Sequence, residues 1–146
     1  MTDNANTDIT GGCLCGAIRY RATVAPYSVV HCHCSLCRRA AGAPVVTWAT
    51  FHGDEVEFTQ GEPKRYDSSA AAWRSFCADC GTQITFQFKD RPGSIDLTLA
   101  SFDDPEAIIP LHHIFEADRL SWLSIEDGLP RYPAINPKPD NSETDA

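Results

Sequence analysis

The sequence predicts a mostly β domain of antiparallel strands with little helix, and two observations carry that expectation. Short runs in which apolar and polar residues alternate recur along the chain, the period of a strand with one buried and one wet face. Nine glycines and ten prolines punctuate the chain between those runs, as in folds of many short strands joined by turns.

The segments justify this in order. AIRYRATV, residues 17–24, alternates as a strand that Pro26 ends. SLCRRAAG, residues 35–42, suits one or two helical turns closed by Gly42. PVVTWATF, residues 44–51, is a strand, followed by a turn at His52–Gly53–Asp54 and a hairpin partner, EVEFTQG, at residues 55–61. RYDSSAAAWRSFC, residues 65–77, is strand-rich despite its alanines. TQITFQF, residues 82–88, alternates cleanly, and Arg91–Pro92–Gly93 turns the chain into SIDLTLASF at residues 94–102. DDPEAIIP is a loop, HHIFEAD a short strand or extended segment, and WLSIEDGLPRYP closes the domain. The expected domain is residues 11–135, between flexible polar tails at residues 1–10 and 136–146.

Composition narrows the function classes. The chain has 146 residues, 42% of them hydrophobic, enough for one domain with a real core. No apolar run approaches the roughly 20 residues needed to cross a bilayer, so no membrane partner is expected. MTDNANTDIT lacks the basic start and apolar middle of a signal peptide, and the expected compartment is the cytoplasm. The net charge is −8, and no basic run exceeds the Arg38–Arg39 pair. Nucleic acid is excluded as a partner on that ground, because its binding depends on clustered Lys and Arg.

Seven cysteines remain to be explained. Disulfides do not persist in a reducing cytosol, and an odd count leaves one thiol over, so the expectation is metal, with zinc foremost. The thiols form three groups. Cys77-Ala-Asp-Cys80-Gly81 can point two thiolates at one ion from a tight turn. The same spacing would suit a redox pair, but no βαβ pattern surrounds it. Cys13-Leu14-Cys15, flanked by Gly11, Gly12 and Gly16, can supply two more thiolates and close a tetrahedral structural site. HCHCSLCRR, residues 31–39, then holds Cys32, Cys34 and Cys37, three ligands that leave a fourth position open, as at a catalytic zinc. His31, His33, His112 or His113 closing the trio is the alternative, and a free redox thiol at Cys34 is another. Three thiolates and one divalent ion carry net negative charge, for which Arg38 and Arg39 are candidate balancing groups. His113 is either an acid/base or substrate group or a structural histidine. Trp48, Trp73 and Trp122 are expected in the core.

Taken together, GGCLCGAIRY, HCHCSLCRRAAGAPVVTW, FCADCGTQI, SFDDPEAIIPLHHIFEADRLSW and DGLPRY resemble the glutathione-dependent formaldehyde-activating enzyme family, the CENP-V/GFA domain. The likeness runs from about Gly11 to Pro133. It implies a Mss4-like fold of twisted antiparallel sheets with two zinc ions per chain. By position, Cys13, Cys15, Cys77 and Cys80 match the family's structural site, and Cys32, Cys34 and Cys37 its catalytic site. The implied function is a zinc-dependent carbon–sulfur lyase joining a small-molecule thiol, glutathione or similar, to formaldehyde or another small electrophile. Zinc can favour the thiolate, polarise the carbonyl or activate water, and the sequence does not choose among these. The competing readings are a zinc-stabilised Mss4-like protein-binding module without catalysis, and a thiol sensor that releases metal on oxidation.

Overall fold

The computed structural model of the protein describes residues 8–135. Its strands are β1 (Ile9–Gly12), β2 (Arg19–Ala22), β3 (Ser28–Cys32), β4 (Val46–His52), β5 (Val56–Gln60), β6 (Lys64–Asp67), β7 (Ala72–Phe76), β8 (Gln83–Phe88), β9 (Ser94–Thr98) and β10 (His112–Ile114). One α-helix, α1 (Ser35–Ala41), lies among the described residues. The fold is therefore mostly β. Both expected tails lie outside the described residues apart from residues 8–10, and Ile9 and Thr10 open β1.

Two sheets make the body. The small one has the order β1-β2-β5, and the large one β10-β3-β4-β9-β8-β7-β6. Every pairing is antiparallel except β10 with β3, which is parallel and sets His112, His113 and Ile114 beside Val30, His31 and Cys32. That one parallel pair departs from the antiparallel expectation. It arises because the long connection after β9 returns the chain to the far edge of the sheet.

The expected hairpin between residues 44–51 and 55–61 does not form. A 3-10 turn at Gly53–Glu55 redirects the chain, fixed by Gly53 N–H to Gly93 O at 2.7 Å and by His52 N–H to Glu55 Oε1 at 3.1 Å. β4 stays in the large sheet and β5 crosses to the small one. Residues 65–77, by contrast, do fold into strands, β6 and β7. β6 is the sheet's outer edge and is exposed at all four positions.

Alternation gives the large sheet two different faces. Val29, Ala49, Phe51, Ile84 and Leu97 join Ile18, Tyr20 and Ala22 of the small-sheet region in the main core. Val30, Cys32, Val46 and Trp48 gather beside α1 in a second cluster that includes Cys37, with Phe86, Ile114 and Phe115 against it. The main core buries Tyr20 with its hydroxyl 2.6 Å from Ser101 Oγ. That bond keeps the buried hydroxyl paired among the apolar side chains.

Asp103 ties the small sheet to the segment after β9. It accepts from Thr10 Oγ1 at 2.7 Å and from Arg19 Nη1 at 3.0 Å, and it also pairs with Arg19 Nη2. The Arg19 guanidinium, helped by the Thr10 hydroxyl, holds the Asp103 carboxyl below its ordinary pKa. A depressed carboxylate stabilises the fold fully above the unfolded value of about 3.9, and that contribution is lost as pH falls through the folded value. In urea unfolding, Asp103→Asn should cost about 0.5–1 kcal/mol at pH 6. The difference from the parent should shrink once the pH drops below about 3.9 and go on shrinking as it passes the folded value; a difference independent of pH down to acid unfolding would contradict the assignment.

Candidate metal centre

Two turns of the same construction bring the first four thiols together. In one, Gly16 takes φ 83° and its N–H donates to Cys13 O at 3.1 Å. In the other, Gly81 takes φ 84° and its N–H donates to Cys77 O at 2.8 Å. A side chain at either glycine would strain the left-handed backbone that these turns need. The turns aim N–H groups at sulfur: Ile18 N–H lies 3.3 Å from Cys13 Sγ, and Cys80 N–H lies 3.5 Å from Cys77 Sγ. Thr82 joins them, its hydroxyl accepting from Leu14 N–H at 3.0 Å and sitting 3.2 Å from Cys80 Sγ.

The Sγ atoms of Cys13, Cys15, Cys77 and Cys80 all lie within 4.8 Å of one another, with Cys13–Cys15 at 3.6 Å and Cys15–Cys77 at 3.8 Å. A tetrahedral zinc with bonds of about 2.3 Å requires sulfur–sulfur separations of about 3.8 Å. The donor set and its spacing therefore fit zinc. None of the seven cysteines is in a disulfide.

The second thiol cluster is built by β3 running into α1. Cys32 ends β3, Cys34 is the N-cap of α1, and Cys37 sits in its first turn. Cys37 N–H donates to Cys34 Sγ at 3.2 Å, and the Cys32 and Cys37 sulfurs are 3.6 Å apart. All three Sγ atoms lie within 4.8 Å of one another. Donation from Cys32, then from Cys37 and the helix N–H groups, holds Cys34 well below the ordinary thiol pKa, while Cys32 is pushed up. Cys32 and Cys37 are buried and Cys34 half-buried. All three line a cavity of about 860 Å³ whose walls include Trp48, Phe86, Phe88 and Ile114.

The histidines do not close this cluster. Strand alternation sends Cys32 and Cys34 to the cavity face and turns His31 and His33 the other way. There His31 Nδ1 meets Thr47 Oγ1 at 2.8 Å, and His33 Nε2 meets His113 Nδ1 at 2.9 Å. His113 Nε2 in turn meets Asp127 Oδ2 at 2.8 Å, and Arg131 Nη2 lies 3.5 Å from the other Asp127 oxygen. His33 and His113 are fully buried. His113 is thus a structural histidine, one link in a chain that fastens the segment carrying Asp127 to β10 and β3. His31, His113 and Asp127 lie close enough to hold an ion, but hydrogen bonds already engage them. His112 lines the cavity without joining the thiols.

The chain resembles known proteins in sequence and in fold. The family described as glutathione-dependent formaldehyde-activating enzyme matches residues 8–118. The chain belongs to that family. An uncharacterized lyase of Schizosaccharomyces pombe is 33% identical over 78 residues, which cover 53% of this chain and 56% of that protein, about half its length. A Halomonas elongata protein named for glutathione-dependent formaldehyde activation is 26% identical over 130 residues, 81% of each chain. The crystal structure of a Rhodobacter sphaeroides protein superposes with a TM-score of 0.55 at 20% identity, covering 84% of this chain and 98% of that one. That last likeness concerns the fold alone.

Within this formaldehyde-activating family fold, one residue at the site had no signal in the cysteine motifs. Arg74 of β7 is 4% exposed and donates from Nη2 to Cys37 Sγ at 3.4 Å. It takes the charge-balancing place expected of Arg38, which instead donates to Asp118 O at 3.0 Å. Arg39 lines the cavity. Trp48 is buried at the cavity wall as well as in its cluster, Trp73 is half-buried under Arg65 at 4.2 Å, and Trp122 is 72% exposed, outside any core. Removing Asp127 would leave the buried His113 Nε2 without its partner. Asp127→Ala should therefore lower unfolding stability by about 1–3 kcal/mol, measured in urea, whereas a loss below a few tenths would show that water replaces the carboxylate.

Proposed function

We propose that the protein is a carbon–sulfur lyase of the formaldehyde-activating type, with two zinc ions, that joins a small thiol such as glutathione to formaldehyde or another small electrophile. The observation that carries this reading is the division of seven thiols into a group of four and a group of three, with only the three lining a large cavity. Cys13, Cys15, Cys77 and Cys80 would hold a structural ion, and Cys32, Cys34 and Cys37 a catalytic one. Zinc bound by the three thiolates would supply the Lewis acidity that favours a thiolate at neutral pH.

The chain's own residues do the rest. Trp48, Phe86 and Phe88 present apolar walls that limit water around the reactants. Arg74 fixes Cys37 and offsets the negative charge of the thiolates. Held side by side in the cavity, thiol and carbonyl react as one positioned pair. A sulfur–carbon bond forms, the carbon–oxygen π bond breaks, and the thiol proton passes to the carbonyl oxygen. The family membership, the lyase name of one relative and the formaldehyde-activating name of another support this reaction type.

Exchange NMR with glutathione and formaldehyde tests the reading directly: the protein should accelerate adduct formation above the spontaneous rate, and absence of acceleration would remove glutathione and formaldehyde as its substrates. Cys34→Ser should reduce that acceleration by about 100-fold or more and lose one of two zinc equivalents while remaining folded. Cys80→Ser should instead impair folding, because a four-thiolate site contributes its binding energy to the fold. A single tightly held zinc in the parent protein would overturn the division into two sites.

A further inference from the structure

Phe115 is the one non-glycine residue with a positive φ among the described residues, at φ 55° and ψ 38°. A bulky side chain is rarely found in this left-handed conformation, which glycine takes freely. Hydrogen bonds on both sides hold the backbone there. Phe115 N–H donates to Ala134 O at 2.9 Å, Glu116 N–H to Tyr132 O at 2.9 Å, and Asp118 N–H to Phe115 O at 3.0 Å. Arg131 Nη1 also donates to Glu116 Oε2 at 2.7 Å.

This strained turn decides where the ring goes. In β10, His112 and Ile114 line the cavity, while His113 turns to His33 and Asp127 on the other side. A strand continuing its alternation would send residue 115 to the side of His113. Phe115 instead lines the cavity together with Ile114, and both pack against the cluster that contains Cys32 and Cys37. The left-handed residue breaks the period of two and returns an aromatic ring to the cavity. Ile114 stands beside Cys32 in the sheet register, which puts the ring of the next residue at the thiol end of the space. Phe115 is only half-buried, so it keeps surface that an occupant of the cavity can touch.

We propose that Phe115 is a specificity-determining residue whose ring limits the bulk a substrate can carry next to its reacting sulfur, so that the site takes primary thiols and turns away tertiary ones. The inference rests on the reading of this cavity as the thiol-binding site. A sulfur on a CH2 group brings little width to the thiol end of the cavity, whereas a sulfur on a fully substituted carbon brings three branches against the ring. Backbone strain of this kind is retained where the surrounding structure over-determines it and the side chain it places is used.

The test compares ethanethiol with 2-methylpropane-2-thiol, by titration calorimetry on the zinc-loaded protein. The primary thiol should bind about 10- to 100-fold more tightly to the parent, the scale on which a pocket wall discriminates a few carbon atoms. In Phe115→Gly and Phe115→Ala the ratio should fall to within about 3-fold, with both zinc equivalents kept. Equal binding of the two thiols by the parent would overturn the assignment, as would a ratio unchanged in the variants or no binding of either thiol. In urea, Phe115→Gly should unfold at a higher midpoint than Phe115→Ala, because glycine relieves the strain that alanine keeps. The opposite order would remove the strain and the proposal with it. A Phe115→Gly protein that does not fold or does not hold zinc would make the ring a structural necessity, which also overturns the assignment. A protein that does not join glutathione to formaldehyde, yet separates the two thiols through Phe115, keeps this inference and loses only that reaction. One that accelerates the reaction while both thiols bind alike keeps the reaction and loses the inference.

Discussion

Four sulfur atoms at the junction of the two sheets set the terms for everything else in this molecule. Cys13 and Cys15 leave the end of β1, and Cys77 and Cys80 occupy the turn between β7 and β8, sixty-two residues on from Cys15 to Cys77. A small sheet gains its stability by burying its hydrophobic face. Here the partner is the large sheet, and an ion held by the four thiols would clamp one onto the other at the end of the shared core, into which Cys13 and Cys77 are themselves packed. Such an ion would close a long loop on a single point, and loop closure restricts the freedom of the chain. The opposite face of the large sheet carries the second cluster and the cavity.

The cavity side follows a different economy of groups. Three thiols, a buried arginine and several aromatic rings share it, and each constrains another. The N-terminal turn of α1 sets Cys34 and Cys37 one turn apart, β3 delivers Cys32, and β7 reaches under them with Arg74. A buried arginine and a cluster of thiolates would each be unfavourable alone. Together they answer part of each other's charge, through Arg74 Nη2 and Cys37 Sγ.

Much of this is legible in the amino-acid order. Segments such as TQITFQF and SIDLTLASF show their strand period openly and form β8 and β9. The thiol groupings can be read from spacing because turn geometry is local. What stays hidden is what depends on distant neighbours. EVEFTQG is a strand, but its partner is β2 and not β4, since Gly53 N–H is captured by Gly93 O across the sheet. The strand β3 gives a weak signal because it is five residues long and runs straight into the cysteines. Yet His31-Cys32-His33-Cys34 is itself a period of two, and in an extended chain that pattern alone sends imidazoles and thiols to opposite faces. Arg74 has no motif around it. Its importance comes only from the register that sets β7 beside β8.

The pairing of β3 with β10 has a consequence for how the protein is made. In β3 a slip of one residue would turn every side chain to the opposite face, presenting imidazoles where the thiols belong. Neighbours on both sides pin the register: β4 on one flank, and β10 with its buried His113 on the other. The second flank comes late, since His113 lies eighty residues beyond His33. On the ribosome, the thiols of residues 32–37 are therefore synthesised long before the strand that completes their frame. A nascent chain at that stage has the thiols without a fixed geometry, so an ion that depended on that geometry would be selected only near the end of translation.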